Sequence, residues 1–320
     1  MKRFLSARLV AALVTGLGIT FLAFAVVRAA PGDPLALHSD LGLRGGEATL
    51  QQVRDYRHLM GLDAPLLPGY LRWLSHLLRG DLGSSFRDGR PVLSLLGEAR
   101  PVTLLLSVIS LLVGYALAVP AGIFSAAHPG GWLDRAISTV AFLLYSLPVQ
   151  WVALVLVVWP AGFPIHGLHA EGTRSWGDLL AHLVLPVACL TYGSVAVTSR
   201  FVRSSMLEEM GRDYVRTARA KGLPERSVIL RHALPNSLLS LITLFGLTFP
   251  ALASGAVIVE RIFGLPGMGK LTFDAVLGRD VPVLMGTVTV GGVVTMLGTL
   301  ASDMLYAVAD PRISLGGEHE

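Results

Sequence analysis

Residues 264–270 read GLPGMGK and could do chemistry, because they fit G-x4-G-K, the start of a loop that holds phosphate on backbone N–H groups. Such a loop needs a Ser or Thr next for magnesium, and the chain has Leu271 there. No buried parallel strand is predicted before it. We therefore reject a nucleotide site and interpret the segment as a turn shaped by glycine and proline.

Two histidines, His166 and His169, are the other candidates for chemistry. Histidine is the commonest transition-metal ligand, so a nickel or other metal contact stays open. Two imidazoles without further ligands make a poor site, and we assign no metal. The chain has neither H-E-x-x-H nor G-x-S-x-G, so we also assign no catalytic residue and expect no enzyme.

The composition indicates a membrane protein. Of 320 residues, 52% are apolar and 15% are charged, with a mean hydropathy of +0.61. Soluble domains carry about 25% charged residues. The net charge of +4 is small, so we expect a lipid bilayer and no nucleic acid as a partner. The one cysteine, Cys189, lies in an apolar run and is expected to be a buried thiol.

Six apolar segments could cross the hydrocarbon, which takes about 20 helical residues. Backbone groups must be satisfied within each segment in lipid, so the fold is expected to be all-α. Kinks are expected at Pro120 and Pro148. The segments are residues 9–27, 101–125, 136–159, 179–199, 237–259 and 283–307.

Within the second segment, Gly114, Ala118 and Gly122 place small residues on one helical face. Such a face permits close helix contact. Ordinary small residues of a membrane helix are the alternative interpretation.

The distribution of Lys and Arg orients these spans. Three cations precede the first span, and eight cations against four acids lie between the fourth and fifth spans. Basic segments of this kind favour the cytoplasm. Six spans then put both termini in the cytoplasm and residues 260–282 outside.

The predicted regions follow from the spans. They are an N-terminal transmembrane helix (1–28), an extracytoplasmic segment (29–99), a transmembrane domain (100–312) with a cytoplasmic loop (204–235), and a cytoplasmic tail (313–320). A cleaved signal peptide is the alternative for the first region, although its apolar run is long for that.

The extracytoplasmic segment is predicted to contain a short amphipathic helix. Its apolar face would carry Tyr70, Trp73, Leu74 and Leu77, with a start at Pro68-Gly69 and a stop at Gly80-Asp81. Such a helix would pack on the membrane domain or lie in the interface.

The basic loop contains a segment, residues 213–235, that we call the elbow. Asp213 is expected to cap a first helix, and Gly222 to end it in a left-handed conformation. Pro224 suits the first turn of a second helix, and Pro235 closes that helix or begins the next span. A unit of this shape can lie in a groove of a partner. A basic loop that serves topology alone is the alternative.

The elbow resembles the cytoplasmic signature of ABC importer permeases, which reads Glu-Ala-Ala, three residues, Gly, nine residues, Ile-x-Leu-Pro. This chain has Arg216-Thr217-Ala218, Gly222 and His232-Ala233-Leu234-Pro235 at the same spacing. The second Ala, the Gly and the Leu-Pro match, whereas the Glu, the first Ala and the Ile do not. The sequence DYVRTARAKGL with RHALPN is similar to the dipeptide/oligopeptide/nickel branch.

Further short motifs extend the resemblance over nearly the whole chain. Each is weak alone, and their order is specific. They are Pro31-Gly32-Asp33-Pro34, Gly61-Leu62-Asp63-Ala64-Pro65-Leu66, Gly80-Asp81-Leu82-Gly83-Ser84-Ser85, Glu260-Arg261-Ile262-Phe263, Pro266-Gly267-Met268-Gly269, Arg279-Asp280 and Asp310-Pro311-Arg312.

The resemblance implies a type I ABC importer permease fold in the inner membrane. It implies a second permease subunit, two ATPase subunits that bind ATP and magnesium, and an extracytoplasmic solute-binding protein, with no cofactor on this chain. The cargo would be peptides, with nickel or another small solute as the alternative. An ion-coupled carrier, an intramembrane enzyme and a scaffold are rivals from other classes.

The resemblance also assigns the elbow as the ATPase-coupling region. The small side chain of Ala218 would let the ATPase approach the backbone. The residues expected to act there are Tyr214, Arg216, Ala218, Arg219, Gly222, Leu223, Leu234 and Pro235.

Ionisable residues at span ends are functional hypotheses by default. Glu260 follows the fifth span, and the alternative is a solvated carboxylate or one paired with Arg261. Asp303, near the inner end of the sixth span, is expected to be interfacial. A gate or receptor contact at the outer mouth is predicted for Glu260, Phe263, Pro266 and Gly267.

Overall fold

The protein is described by a computed structural model that covers residues 2–29, 64–173, 175–237, 241, 245 and 256–309. Within these ranges the regular elements are helices, apart from one isolated bridge between Ser84 and Pro91. The predicted fifth span, residues 237–259, lies mainly outside the described residues. The motifs at 31–34 and 310–312, and the first part of that at 61–66, lie outside them as well.

The helices follow one another closely along the described chain. In order they are α1 (Lys2–Ala29), α2 (Leu66–Leu78), α3 (Val92–Ala127), α4 (Trp132–Ser146), α5 (Val149–Val158), α6 (Trp176–Met210), α7 (Asp213–Ala220), α8 (Glu225–Ser227) with a π-helical continuation (Val228–Ala233), α9 (Val257–Ile262), α10 (Met268–Leu277) and α11 (Val281–Ala309).

Among the residues that the structure describes, four helices, α1, α3, α6 and α11, are long and apolar enough to cross a membrane. α4 and α5 together form a fifth candidate, but they are bent by 93° relative to each other. The predicted span over residues 136–159 is therefore divided into two helices. The break falls at the predicted position, because Pro148 lacks an N–H and the preceding Leu147 is extended.

α3 begins at Val92, nine residues before the span predicted from residue 101, and continues through Pro120 without a break. The predicted small-residue face is confirmed at its contact with α6. A Cβ on Gly122 would lie 2.5 Å from Val202 Cβ, and one on Gly114 would lie 3.1 Å from Ser194 Oγ. The absence of side chains at these positions therefore lets the two longest helices approach closely.

α1 packs against α11 with opposite chain direction. Arg8 and Asp303 form an ion pair of 3.1 Å between the start of α1 and the last turns of α11. Asp303 is thus paired as well as near a helix end. The contact brings the beginning of α1 and the end of α11 to one side, and that this side is cytoplasmic stays a prediction.

The predicted amphipathic helix is confirmed as α2, which starts two residues earlier than expected, at Leu66. Tyr70 and Trp73 are buried against Phe24 of α1. The hydroxyls of Tyr70 and Thr20 lie 2.9 Å apart. Of the two predicted placements, packing on the membrane domain is therefore the observed one.

Replacement of Trp73 by Ala should lower the melting temperature of the purified chain. Trp73 is 2% exposed, and loss of a buried Trp costs about 3–5 kcal/mol. Trp176 is 80% exposed, so Trp176→Ala is the matched control and should melt close to wild type. Equal melting temperatures for the two variants would contradict the packing of α2 on α1.

Candidate functional site

The first helix of the elbow, α7, starts at Asp213 and not one residue later as a cap at Asp213 would require. The N-cap is Arg212, which makes no side-chain capping bond. The Asp213 carboxylate instead lies 3.5 Å from Arg216 Nη1. It still places a negative charge in the first turn of α7, where the charge interacts favourably with the helix dipole.

The bend after α7 is confirmed at Gly222, whose φ is +75°. Gly222 N donates to Arg219 O (2.9 Å), and Leu223 N donates to Ala218 O (3.4 Å). These two bonds form a Schellman motif, which satisfies carbonyls that α7 would otherwise leave unpaired. The direction of the second half of the elbow therefore depends on a residue that tolerates the left-handed conformation.

The second half of the elbow begins with α8 directly after Pro224, one residue later than predicted, and continues as a π-helix. Leu234 N donates to Ile229 O, five residues back. The helix does not end at Pro235, and the chain remains helical to Ser237. A π-turn before a proline is physically reasonable, because proline cannot donate to the carbonyl four residues before it.

One face of the elbow is apolar and packs on the chain itself. It forms a buried cluster with the ends of α3 and α6, where Ala126, Val202 and Met206 contribute. The elbow's members are Val215, Ala218, Val228, Ile229 and Ala233. Ala218 therefore faces inward in this structure, and the expectation that it is open to a partner is wrong: its small side chain lets α7 approach the helices of its own chain.

The opposite face of the elbow is exposed and basic. Arg216 is 73% exposed along its side chain, and Tyr214, Arg219 and Leu223 are also exposed. Leu234 is half-buried and Pro235 exposed. Apart from Ala218, which is buried, and Leu234, which packs against the buried cluster, these coupling residues are exposed. Their role in coupling stays a prediction.

Tyr214 connects three parts of this surface. Its hydroxyl donates to Glu209 Oε2 of α6 (2.5 Å) and accepts from Asn236 Nδ2 (2.9 Å). Partial burial and the neighbouring Glu209 carboxylate raise the pKa of the Tyr214 phenol. The two ends of the elbow are thus fastened together through Glu209 and Asn236, two residues that the sequence analysis did not single out.

An ion pair crosses the bend. Arg219 Nη2 lies 2.6 Å from Glu225 Oε1. This contact lowers the pKa of the Glu225 carboxyl and raises that of the Arg219 guanidinium. The pair is therefore intact at neutral pH, and its contribution is lost as the pH falls through the lowered pKa of Glu225.

Apolar packing outweighs this pair in holding the elbow. An exposed ion pair contributes about 0–1 kcal/mol. Full burial of a Val or Ile side chain contributes about 1.5–3 kcal/mol, and the elbow buries Val215, Val228 and Ile229. The pair therefore contributes less than the apolar residues to the attachment of the elbow.

The glycine-rich segment 264–270 encloses the side-chain carboxylate of Glu260, a residue of the same chain. Glu260 is 0% exposed. Its carboxylate accepts from Thr103 Oγ1 (2.8 Å) and from the backbone N–H of Lys270 (2.9 Å). Thr103 Oγ1 in turn accepts from Met268 N (2.8 Å). Two N–H groups at the start of α10 are thus satisfied by side chains from α9 and α3.

Two glycines of this segment make room for the carboxylate. A Cβ on Gly267 would lie 2.5 Å from Glu260 Cδ, and one on Gly269 would lie 2.7 Å from Val257 Cα. Both positions therefore exclude a side chain, for packing rather than for nucleotide binding.

The predicted gate or receptor contacts mostly lie inside the chain. Glu260, Phe263 and Gly267 are buried, and only Pro266 is exposed. Glu260 and Phe263 cannot touch a receptor in this conformation, because one caps α10 and the other lies in a core cluster with Leu265. The alternatives for Glu260 are also wrong: it is not solvated, and Arg261 pairs instead with Asp274.

The two histidines, His166 and His169, have different neighbours. His169 Nδ1 lies 3.0 Å from Asp178 Oδ2, and the same aspartate lies 3.3 Å from His182 Nδ1. His166 is instead near the backbone at Gly264. Within the described residues no group of three His, Cys, Asp or Glu side chains could hold a metal ion.

The sequence analysis assigned no role to two buried carboxylates, those of Asp134 and Asp280. Asp134 of α4 receives two hydrogen bonds from Arg203 of α6 (2.6 and 2.8 Å) and one from Gly130 N (2.8 Å). Asp280 accepts from the hydroxyl of Ser85 and from Phe86 N. The contact between Asp280 and Ser85 joins two of the short motifs of Sequence analysis, residues 80–85 and 279–280. The occurrence of both motifs in one chain was the only sequence signal for this contact.

Two family models match the chain. The model described as "Binding-protein-dependent transport system inner membrane component" matches residues 118–315, and that described as "Binding-prot-dependent transport system membrane comp, N-term" matches residues 1–107. The chain belongs to the family of binding-protein-dependent transport system inner membrane components. The resemblance stated from the elbow and the short motifs is confirmed.

Curated members of the binding-protein-dependent family are similar over almost their full length. The oligopeptide transport system permease protein AppB of Bacillus subtilis is 38% identical over 306 residues, which cover 93% of this chain and 94% of AppB. The dipeptide transport system permease protein DppB of Escherichia coli is 35% identical over 341 residues, covering 98% and 99%.

A solved structure has a similar fold. A chain in the structure titled "Inward facing conformations of the MetNI methionine ABC transporter" matches with a TM-score of 0.56 at 18% identity, covering 68% of this chain and 96% of that chain. At this identity the likeness concerns the fold alone, and it agrees with a helical membrane protein.

Gly267→Ala should destabilise the chain, because the new methyl group would overlap the Glu260 carboxyl. Overpacking of this kind costs about 1–3 kcal/mol. Gly193→Ala is the control, since a Cβ there meets nothing within 4 Å and Ala favours a helix over Gly. Thermal unfolding of the purified variants measures both. A Gly267→Ala protein as stable as Gly193→Ala would rule out the enclosed carboxylate.

Proposed function

We propose that this chain is a transmembrane permease subunit of an ATP-driven ABC importer for di- or oligopeptides. Membership of the binding-protein-dependent family supports the importer class, and the relatives named as oligopeptide and dipeptide permeases support the cargo. The single observation that carries the mechanism is the elbow, with one face buried on α3 and α6 and the other basic and exposed.

In this proposal the chain forms half of the path, and a second permease forms the other half. An extracytoplasmic binding protein delivers peptide, and two ATPase subunits bind ATP and magnesium. The permease has no catalysis of its own. Both termini and the elbow lie on the cytoplasmic side of the inner membrane, in agreement with the excess of Lys and Arg there.

The elbow would act as a mechanical contact. An ATPase groove holds its exposed face, and its buried face moves the ends of α3 and α6 with it. The Schellman bend at Gly222 and the Arg219–Glu225 pair keep its two halves at a fixed angle. Transport requires that ATP favours one arrangement of the spans over the other, since a ligand shifts an equilibrium only by its differential affinity.

Gly222→Val should uncouple ATP hydrolysis from transport in the assembled importer. A β-branched residue is strained at a φ of +75°, so the bend and the direction of the second half would change. Gly222→Asn is the matched control, because Asn tolerates the left-handed conformation. Reconstituted vesicles report ATP hydrolysis and peptide uptake together.

We expect a large loss of uptake per ATP for the valine variant and near-normal uptake for the asparagine variant. Valine and asparagine variants with equal coupling would contradict the requirement for this bend.

Arg219→Glu should weaken binding of the ATPase subunits. It removes a cation from the exposed face and also breaks the pair with Glu225. The exchanged double variant, Arg219→Glu with Glu225→Arg, restores an ion pair across the bend while it reverses both charges. Pull-down of the ATPase subunits by the tagged permease measures the effect.

If Arg219 contacts the ATPase, binding stays weak in the double variant. If Arg219 acts only by setting the angle of the elbow, binding recovers in the double variant. Wild-type binding by the single variant would contradict both roles.

A further inference from the structure

A groove between α4 and α6 contains two adjoining cavities. The first, of about 370 Å³, is lined by Ser138, Phe142, Arg200, Arg203 and Ser204. The second, of about 420 Å³, is lined by Tyr145, Ala196, Val197, Arg200 and Phe201. Arg200 lines both, so a polar cavity rich in cations and hydroxyls continues into a mostly apolar one.

The order of the two cavities follows the expected depth in the bilayer. Arg200 is the first charged residue after the apolar run 179–199 of α6, and Arg135 is the last before the uncharged run 136–165. The polar cavity therefore lies where the spans leave the hydrocarbon. Tyr145 on α4 and Val197 on α6 lie farther into those apolar runs, so the second cavity extends toward the bilayer centre.

The two arginines differ in their partners. Arg203 donates two hydrogen bonds to Asp134 and is largely neutralised by it. The Arg200 side chain is exposed and makes no hydrogen bond or ion pair with the part of the chain described by the structure. A cation without an anion therefore lies at the junction, with the Ser138 and Ser204 hydroxyls lining the same cavity.

We propose that this groove binds an anionic phospholipid. Its phosphate lies in the polar cavity on Arg200, within the reach of the serine hydroxyls, and one acyl chain occupies the apolar cavity beside Tyr145 and Phe201. An anionic headgroup fits because it leaves the Arg200 charge compensated, whereas the cation of a zwitterionic headgroup opposes it. The site shares no lining residue with the elbow.

The test uses the full-length chain purified in detergent, with dioleoylphosphatidylglycerol or dioleoylphosphatidylcholine added and bound lipid counted by native mass spectrometry. We expect one phosphatidylglycerol to be retained in preference to phosphatidylcholine. Arg200→Gln should weaken retention of phosphatidylglycerol about tenfold, the size expected for one charge-assisted contact. Arg203 is left unchanged, because its loss would leave Asp134 buried and unpaired.

Arg135→Gln is the matched control. Arg135 lies on α4 close to the same level and is exposed, but it lines neither cavity. It should retain phosphatidylglycerol like wild type. An equal loss in Arg135→Gln and Arg200→Gln, or equal retention of the two lipids by wild type, would overturn the site.

Val197→Trp separates a lipid from free phosphate. Val197 is 42% exposed and lines only the apolar cavity, so a larger side chain there should reduce phosphatidylglycerol binding without removal of a charge. Millimolar inorganic phosphate should compete poorly with the lipid. Full competition by inorganic phosphate together with normal binding by Val197→Trp would overturn the lipid assignment in favour of a free-anion site.

Discussion

The packing of the elbow's apolar face on the ends of α3 and α6 is the interaction on which the functional interpretation depends. It buries Val215, Val228 and Ile229, and burial of this kind outweighs the exposed ion pair by several-fold. Because the apolar face is occupied, the basic face must point away from the membrane helices. A force applied to that face is therefore transmitted to the two longest helices of the described chain.

Carboxylates elsewhere in the chain are used to hold helix ends. Glu260 satisfies the start of α10, Asp280 joins the start of α11 to the loop at Ser85, and Asp134 joins α4 to Arg203 of α6. Each acid is buried and each has donors from more than one element, since Asp280 also accepts from Val283 N of α11 (3.5 Å). The glycine-rich segment 264–270 fits the same principle, since its glycines leave room for the carboxylate of Glu260.

Features that depend on neighbouring residues could be predicted from the sequence. The left-handed cap at Gly222, the face of Tyr70 and Trp73, the small-residue face of α3 and the break at Pro148 all follow from local sequence or helical period. Contacts between distant residues could not be predicted: Thr103 and Glu260 are 157 residues apart, and Ser85 and Asp280 are 195 apart. Ala218 was expected to let a partner approach, but it packs against the chain itself, because in a helix as short as α7 the pattern does not distinguish a partner from the chain's own core.

The most direct measurement is site-specific cross-linking from the elbow in intact cells. The chain has one cysteine, Cys189, which is buried, so a Cys189→Ala background with Arg216→Cys gives a single exposed thiol. A short bifunctional reagent that crosses the membrane should join it to an ATPase subunit, whereas Asp88→Cys, on an exposed loop remote from the elbow in the sequence, should not. If Arg216→Cys captured no ATPase, or no more than Asp88→Cys did, the elbow would not be the coupling surface.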